Sequence, residues 1–203
     1  MFVGAKQGLI GGGTQKGDFL YIADASANLH KFDVNANSFK WINTDAPNGA
    51  FYSVAAKDDL IVAGGNVSLV GYNPAGADIF QYAVGKNING LDITPNNILG
   101  STESNYTRRY NKNNGVLNSD RDMGQNNDNN YDIVYSAYHD AAFTFDGQAM
   151  EVRGIHSPDS SFTVDSLLYN GPDGSSNSLQ CMCVDDTTGD LYIGVRNGSA
   201  FKL

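Results

Sequence analysis

The stretch Val184–Arg196, VDDTTGDLYIGVR, decides how this chain is read. It is an apolar strand end, a short polar turn, and a second strand with Leu191, Ile193 and Val195 on one face at a period of two. Thr187-Thr188-Gly189-Asp190 makes the turn, where Gly189 can take the positive φ that a tight connection needs. Looser copies of the second strand recur as FLYIAD from Phe19, LIVAGG from Leu60, ILGSTES from Ile98 and AFTFDG from Ala142. The spacing is roughly forty residues and the segments are all strand and turn, which predicts repeated small antiparallel sheets.

Working outward, the first unit runs FLYIAD, a turn at Ala25–Asn28, LHKFD, a turn VNANS, then FKWIN. The second runs DLIVAGG, a turn at Asn66, SLVGYN, a turn PAGA, then DIFQYAV. The third runs ILGSTES, a turn at Asn105, YTRRYN, a turn KNNG, then VLNSD. A further strand precedes each: GLIGG, FYSVAA and GLDIT. The fourth unit, Tyr131–Tyr169, is the loosest, with IVYSAY, AFTFDG, AMEVRGI and SFTVDSLLY in the strand slots. The fifth offers only LQCMCV, LYIGVR and SAFKL. The predicted units are 7–43, 49–84, 88–118, 131–169, and 177–203 together with 1–6. Two positions recur. The third strand ends in an aromatic followed by Asp or Asn, at Phe32-Asp33, Tyr72-Asn73 and Tyr110-Asn111. The turn before it carries Asn28, Asn66, Asn105, Asp146 or Asn197, residue types that tolerate the left-handed conformation.

This five-fold pattern, with Asp185–Val195, resembles the β-propeller superfamily, nearest to its quinoprotein-like and YVTN-type repeats. The aromatic–Asp pairs sit where tryptophan–aspartate repeats keep that dipeptide, although the Gly-His pair of those repeats is absent. The resemblance covers nearly the whole chain. It implies an all-β fold, a single five-bladed β-propeller closed by strands from both termini, with Phe2–Lys6 pairing beside Ala200–Leu203. The competing expectation is a chain that forms part of a longer propeller. Neither implies an activity, because such folds host enzymes, lectins and scaffolds alike.

The chain has 203 residues, enough for one domain with a sizeable core. Its formal charge of −9 argues against a nucleic-acid partner. No run of about 18 apolar residues predicts a membrane span, so no membrane insertion is expected. The start MFVGAKQGLIGGG lacks a basic segment followed by a long apolar one, so synthesis in the cytoplasm without a signal peptide is expected, unless a signal has been removed. Only 17% of residues are charged, and glycine and tyrosine are abundant, a profile that suits a turn-rich β-protein facing the outside of something. The only cysteines, Cys181 and Cys183, stand two apart on one strand, poor geometry for a disulfide and without a nearby His for a metal. Two packed thiols are expected.

Few residues suggest chemistry. Asp92 in GLDIT and Asp132 in YDIVY are the one pair of strand carboxylates that a glycosidase could use. Asp120–Asp132 has the look of a calcium loop but fails its register from either Asp120 or Asp128. His30, His139 and His156 carry no nucleophile motif, and Gly11–Gly13 precedes a strand rather than a helix. The acceptor patterns at Asn66, Asn105 and Asn197 are explained by their repeat turn. Of the doubled Arg108 and Arg109, one is expected to be solvated and the other to brace an acid. No catalytic residue, metal or cofactor is expected.

The expected function is therefore a non-catalytic structural or binding protein that presents a loop face to a protein partner or assembly, such as a virion component. A carbohydrate-binding, lectin-like module is the alternative, and a glycoside hydrolase the second. The loop face is expected to carry Asn48, Asp120, Arg121, Asp122, Asn126, Asp128, Tyr131 and Asp173. Long connections on a stiff frame are where binding residues concentrate.

Overall fold

A computed structural model of the chain describes residues 10–44, 49–66, 68–103, 106–123, 130–146, 151–170, 179–195 and 200–203. Every element in it is a strand or a turn, and no helix is long and apolar enough to cross a membrane. The first sheet holds β1 (Ile10–Lys16), β2 (Phe19–Asp24), β3 (Leu29–Asp33) and β4 (Ser38–Asn43). The second holds β5 (Phe51–Lys57), β6 (Leu60–Gly65), β7 (Ser68–Tyr72) and β8 (Asp78–Ala83). The third holds β9 (Ile88–Ile93), β10 (Asn97–Thr102), β11 (Tyr106–Asn111) and β12 (Leu117–Asp122). The fourth holds β13 (Asn130–Ser136), β14 (Ala141–Asp146), β15 (Glu151–His156) and β16 (Thr163–Asn170). The fifth has three strands, β17 (Leu179–Val184), β18 (Leu191–Val195) and β19 (Ala200–Lys202).

Each sheet is an antiparallel meander in sequence order. The aromatic–Asx positions explain why these segments turn where they do. Asp33 Oδ1 accepts the amide of Ala36, Asn73 Oδ1 those of Ala75 and Ala77, and Asn111 Oδ1 that of Asn113. The Asx side chain thus replaces the ladder bond lost as the third strand ends. The preceding Tyr72 and Tyr110 are fully buried between sheets. Gly189 adopts φ +79°, as the turn at Asp185–Asp190 requires. The repeated Asn residues act differently from expectation. In the first turn it is Ala27, not Asn28, that has positive φ. Asn28 Nδ2 instead donates to Asp24 Oδ2, and Asn66 Oδ1 accepts the amide of Ala50.

The first strand of every sheet carries a bulge near its start. The register skips between Ile10 and Gly12, Phe51 and Ser53, Asn130 and Asp132, and Leu179 and Cys181, and between Ile88 and Gly90 opposite Ser101/Thr102. A bulge bends its strand and re-aims the next side chain. Gly12, Ser53, Gly90, Asp132 and Cys181 therefore share one position, and Thr14, Ala55, Asp92, Val134 and Cys183 share the position two residues on.

The sheets stack through these first strands, β1 on β5, β5 on β9, β9 on β13 and β13 on β17. Four apolar cores fill the joints. Tyr21, Ala23 and Leu29 meet Ile61, Ala63, Val70 and Tyr72 in the first. Val62 and Leu69 meet Ile98 and Tyr110 in the second, and Leu99 meets Ala142, Ile155 and Phe162 in the third. Phe145 and Val152 meet Met182, Leu191 and Ile193 in the fourth.

The expectation of a closed five-bladed propeller is corrected here. The five sheets are separate, and they are not curled into a barrel or a propeller. Among the described residues β17 makes no packing on β1 of the extent seen at the other four joints. Among the described residues the fifth sheet has three strands, and the strand expected to supply a fourth, Phe2–Lys6, lies outside them. The physical reason is that periodicity specifies each sheet and the face it offers its neighbour. It does not specify the small angle between neighbours that decides whether a row returns on itself. The third unit also differs from its expected end at 118, because β12 continues to Asp122.

Candidate functional site

The most distinctive polar groups among the described residues are Asp92, half-buried, and Asp132, buried, both in the joints between first strands. A first strand is the edge of its sheet, so alternate backbone amides on its free side have no ladder partner. Asp92 on β9 meets one of them: its Oδ2 accepts the amide of Tyr135 on β13 at 2.7 Å, and its Oδ1 that of Ile93 at 2.7 Å. Asp132 repeats the arrangement one joint later. Its Oδ2 accepts the amide of Met182 on β17 at 3.0 Å, and its Oδ1 that of Ile133 at 2.9 Å. Thr144 Oγ1 closes the group by donating to the Asp132 carbonyl.

Burial pushes the Asp92 carboxyl up to about 6, against the pull of its two amide bonds and Lys57. Burial pushes Asp132 further, to about 7, with Asp92 adding its charge to the effect. The Cys181 thiol is also raised by burial and by the nearby Asp132. A thiol held in its protonated form is a poor nucleophile and a poor metal ligand. Cys181 and Cys183 are free and half-buried. Among the described residues no group of three His, Cys, Asp or Glu side chains is placed to hold a metal ion.

A glycosidase pair needs one carboxyl free to give a proton to substrate and the other free to face it. Here all four oxygens already accept amides, and Asp132 is only 9% exposed. The approach of β9 to β13 is close. A Cβ on Gly90 would lie 2.6 Å from the Asp132 Cα and 2.8 Å from the Ile133 nitrogen, so only glycine fits. What this arrangement does chemically is satisfy edge amides and fix the register of one sheet on the next.

The expected loop-face residues separate into two groups. Asn48, Asn126, Asp128 and Asp173 lie outside the described residues. Asp120, Arg121 and Asp122 are not in a loop but on the outer edge strand β12, and Tyr131 is the bulge residue of β13. Asp120 accepts from Arg108 Nη2 at 3.3 Å, and Arg121 Nε donates to the Phe162 carbonyl at 3.2 Å. Of the doubled cations, Arg108 braces an acid as expected and also donates to the Val84 carbonyl. Arg109 is half-buried rather than free in solvent. It donates to the Pro158 and Ser160 carbonyls of the next sheet and lies 5.2 Å from the Phe162 ring.

Sequence reasoning missed Asp159. Its carboxylate accepts the Asn96 amide, the Asn96 and Asn97 side-chain amides and the Thr94 hydroxyl, tying the β15–β16 turn to the β9–β10 turn. Asp186 does the same on a smaller scale, accepting the Ala137 amide at 3.0 Å. The partners lie 63 and 49 residues away, so no local signal marks them.

No family model matches this chain, and no curated protein matches it either. Among solved structures it is similar to the crystal structure of the computationally designed Ika8 protein, with a TM-score of 0.71 and 9% sequence identity. The likeness covers 94% of this chain and 56% of that one, and at this identity it speaks to fold alone.

Proposed function

We propose that this chain is a non-catalytic binding component, a stiff row of β-sheets that presents the connections at one end to a partner protein within an assembly. One observation carries this. Among the described residues the one carboxylate pair with the makings of catalysis, Asp92 and Asp132, has every oxygen bound to backbone amides and serves as the fastening between sheets. In each antiparallel meander the turn between second and third strands and the passage to the next sheet leave at the same end. The longest passages, between β4 and β5, β12 and β13, and β16 and β17, therefore share that end. At the opposite end the turns of neighbouring sheets are fastened to one another by Asp159, Asp186 and Arg109. One end varies and the other is tied down, which suits recognition at the variable end.

The test is a set of shortened variants. Replacing 44–50, 123–129 and 171–178 by short turns should abolish capture of a co-purifying partner, while altering Asp58 or Asn96 at the opposite end should leave it intact. Hydrolysis of a glycoside panel that disappears in Asp92→Asn or Asp132→Asn would replace this function with the enzymatic one.

A further inference from the structure

The four internal joints are built alike, and the two ends of the row hold the two halves of another. Each sheet turns one face back toward the sheet before it and one forward. On the second sheet the backward face is Ile61, Ala63, Val70 and Tyr72, all fully buried against the first. By register the same positions on the first sheet are Leu20, Ile22, His30 and Phe32. These four are half-buried, and among the described residues no sheet packs on them. The edge strand β4 extends this face with Phe39, 57% exposed, and Ile42, 51% exposed. Phe39 meets Phe32 edge-on at 5.2 Å between ring centroids. At the far end, the forward face of the fifth sheet carries Cys181, Cys183 and Tyr192, in register with Gly12, Thr14 and Tyr21 of the first. Tyr21 is buried beneath the second sheet, whereas Tyr192 is 39% exposed.

We infer that a second copy of this chain docks head to tail, the forward face of the fifth sheet of one copy lying on the backward face of the first sheet of the next. The occupant is a second copy because this pairing of faces is the one the chain makes four times within itself. Setting two first sheets together would join like faces, which no internal joint does. The three-stranded fifth sheet is the smaller face, and three strands about 4.8 Å apart and about five to six residues long make roughly 250 Å². A stable interface needs about 800 Å² per partner, so the contact is weak and needs high concentration. With −9 charges on each copy, screening by salt strengthens it. A heterologous contact of this kind grows beyond a pair unless its rotation closes.

Sedimentation velocity under reducing conditions, from about 5 μM to about 500 μM, tests this over the range where weak contacts populate. The expected result is a weight-average mass that rises with concentration, more steeply at high salt. Phe39→Lys combined with Ile42→Lys, and separately Tyr192→Lys, should each keep the wild-type melting temperature and remain monomeric. An equimolar mixture of the two variants should recover a dimer and stop there, since it holds one intact face of each kind. A wild-type monomer at the highest concentration overturns the inference. So does a Tyr192→Lys variant that associates like wild type, because that would be pairing of like faces.

Discussion

The joint between the first and second sheets and the joint between the fourth and fifth occupy the same register and are held by different chemistry. The first is apolar with a buried cation. Lys31 Nζ lies 4.1 Å from the Phe19 ring centroid and donates to the Pro74 carbonyl, which also accepts Trp41 Nε1. Gly12 and Thr14 stand at its two positions along the first strand. The last joint has a carboxyl at the first of those positions, and Asp132 draws the edge amide of Met182 onto it. The frame thus accepts a buried acid where the following strand aims an unpaired amide at it. The cost is that the last joint responds to pH near neutrality, where Asp132 titrates at about 7.

The largest effect expected is in the apolar joint. Phe51 is 1% exposed and packs with Tyr21, Val54 and Ile61. Phe51→Ala should lower stability by roughly 3–5 kcal/mol through lost burial and a residual cavity. Urea unfolding should give the same loss at pH 5 and pH 8, because no titrating group is removed. A loss that changed with pH would show that the two joints are not chemically separate.

Next comes the carboxylate joint. The Asp132 carboxyl is pushed up to about 7 in the folded state, whereas in the unfolded chain it titrates near the ordinary value of 3.8. The folded state therefore binds the proton more tightly. Its contribution to stability is fully present below about pH 4 and is lost as pH rises through about 7. At about 1.4 kcal/mol per unit the whole change is a few kcal/mol, with Asp92 adding a smaller part over a window that ends near 6. Asp33, Asp58 and Asp190 are held low, by the Ala36 amide, Lys112 and Lys202 in turn, so their effect has the opposite sign and falls below pH 4. Urea midpoints between pH 5 and pH 8 should fall in wild type and stay nearly level in Asp92→Asn/Asp132→Asn. Parallel profiles for the two proteins would remove the buried carboxyls as the cause.

How much of this was legible depends on where each residue finds its partner. The strands were, because alternation and Asx turns are local: Tyr72-Asn73 and Tyr110-Asn111 mark both a buried ring and the turn that follows it. The extent of β12 was not. An outer edge strand tolerates charge, so Arg121-Asp122, beyond VLNSD, reads as loop by composition while pairing with Thr107 and Tyr106. Asp92 and Asp132 stood out as strand carboxylates, but their job depends on amides 43 and 50 residues away. An amide has no sequence signature. For the same reason the five bulges, visible once the strands are paired, could not be placed from the residues alone.

Asp159 gives a smaller, intermediate effect that separates turn fastening from the joints themselves. It is half-buried and holds the Thr94–Asn97 turn by bonds to Thr94, Asn96 and Asn97. Charge-assisted hydrogen bonds are each stronger than neutral ones, but this site is partly solvated, so Asp159→Ala should cost about 1–2 kcal/mol. Hydrogen exchange should speed up at the Asn96 amide and stay unchanged at Met182. Equal acceleration at both would mean that the turn and the carboxylate joint open as one unit.

The smallest effect expected is at the surface of the last sheet. Lys202 Nζ and Asp190 Oδ2 stand 2.8 Å apart, the shortest of the ion pairs described, and the lysine side chain is 55% exposed. Short distance alone invites the conclusion that this pair helps hold the fifth sheet. Solvent argues otherwise: water competes for both groups, salt screens them, and ordering a long lysine has an entropic cost. β19 is held instead by its ladder to β18, where Gly194 pairs with Ala200 and Ile193 with Phe201, and by the mutual amide–carbonyl bonds of Leu191 and Leu203. Lys202→Met should therefore leave the melting temperature within measurement error at physiological salt. A drop of several degrees, reversed by low ionic strength in wild type only, would place the fastening of the last sheet in its surface charges rather than in its ladder and the Asp132 bond.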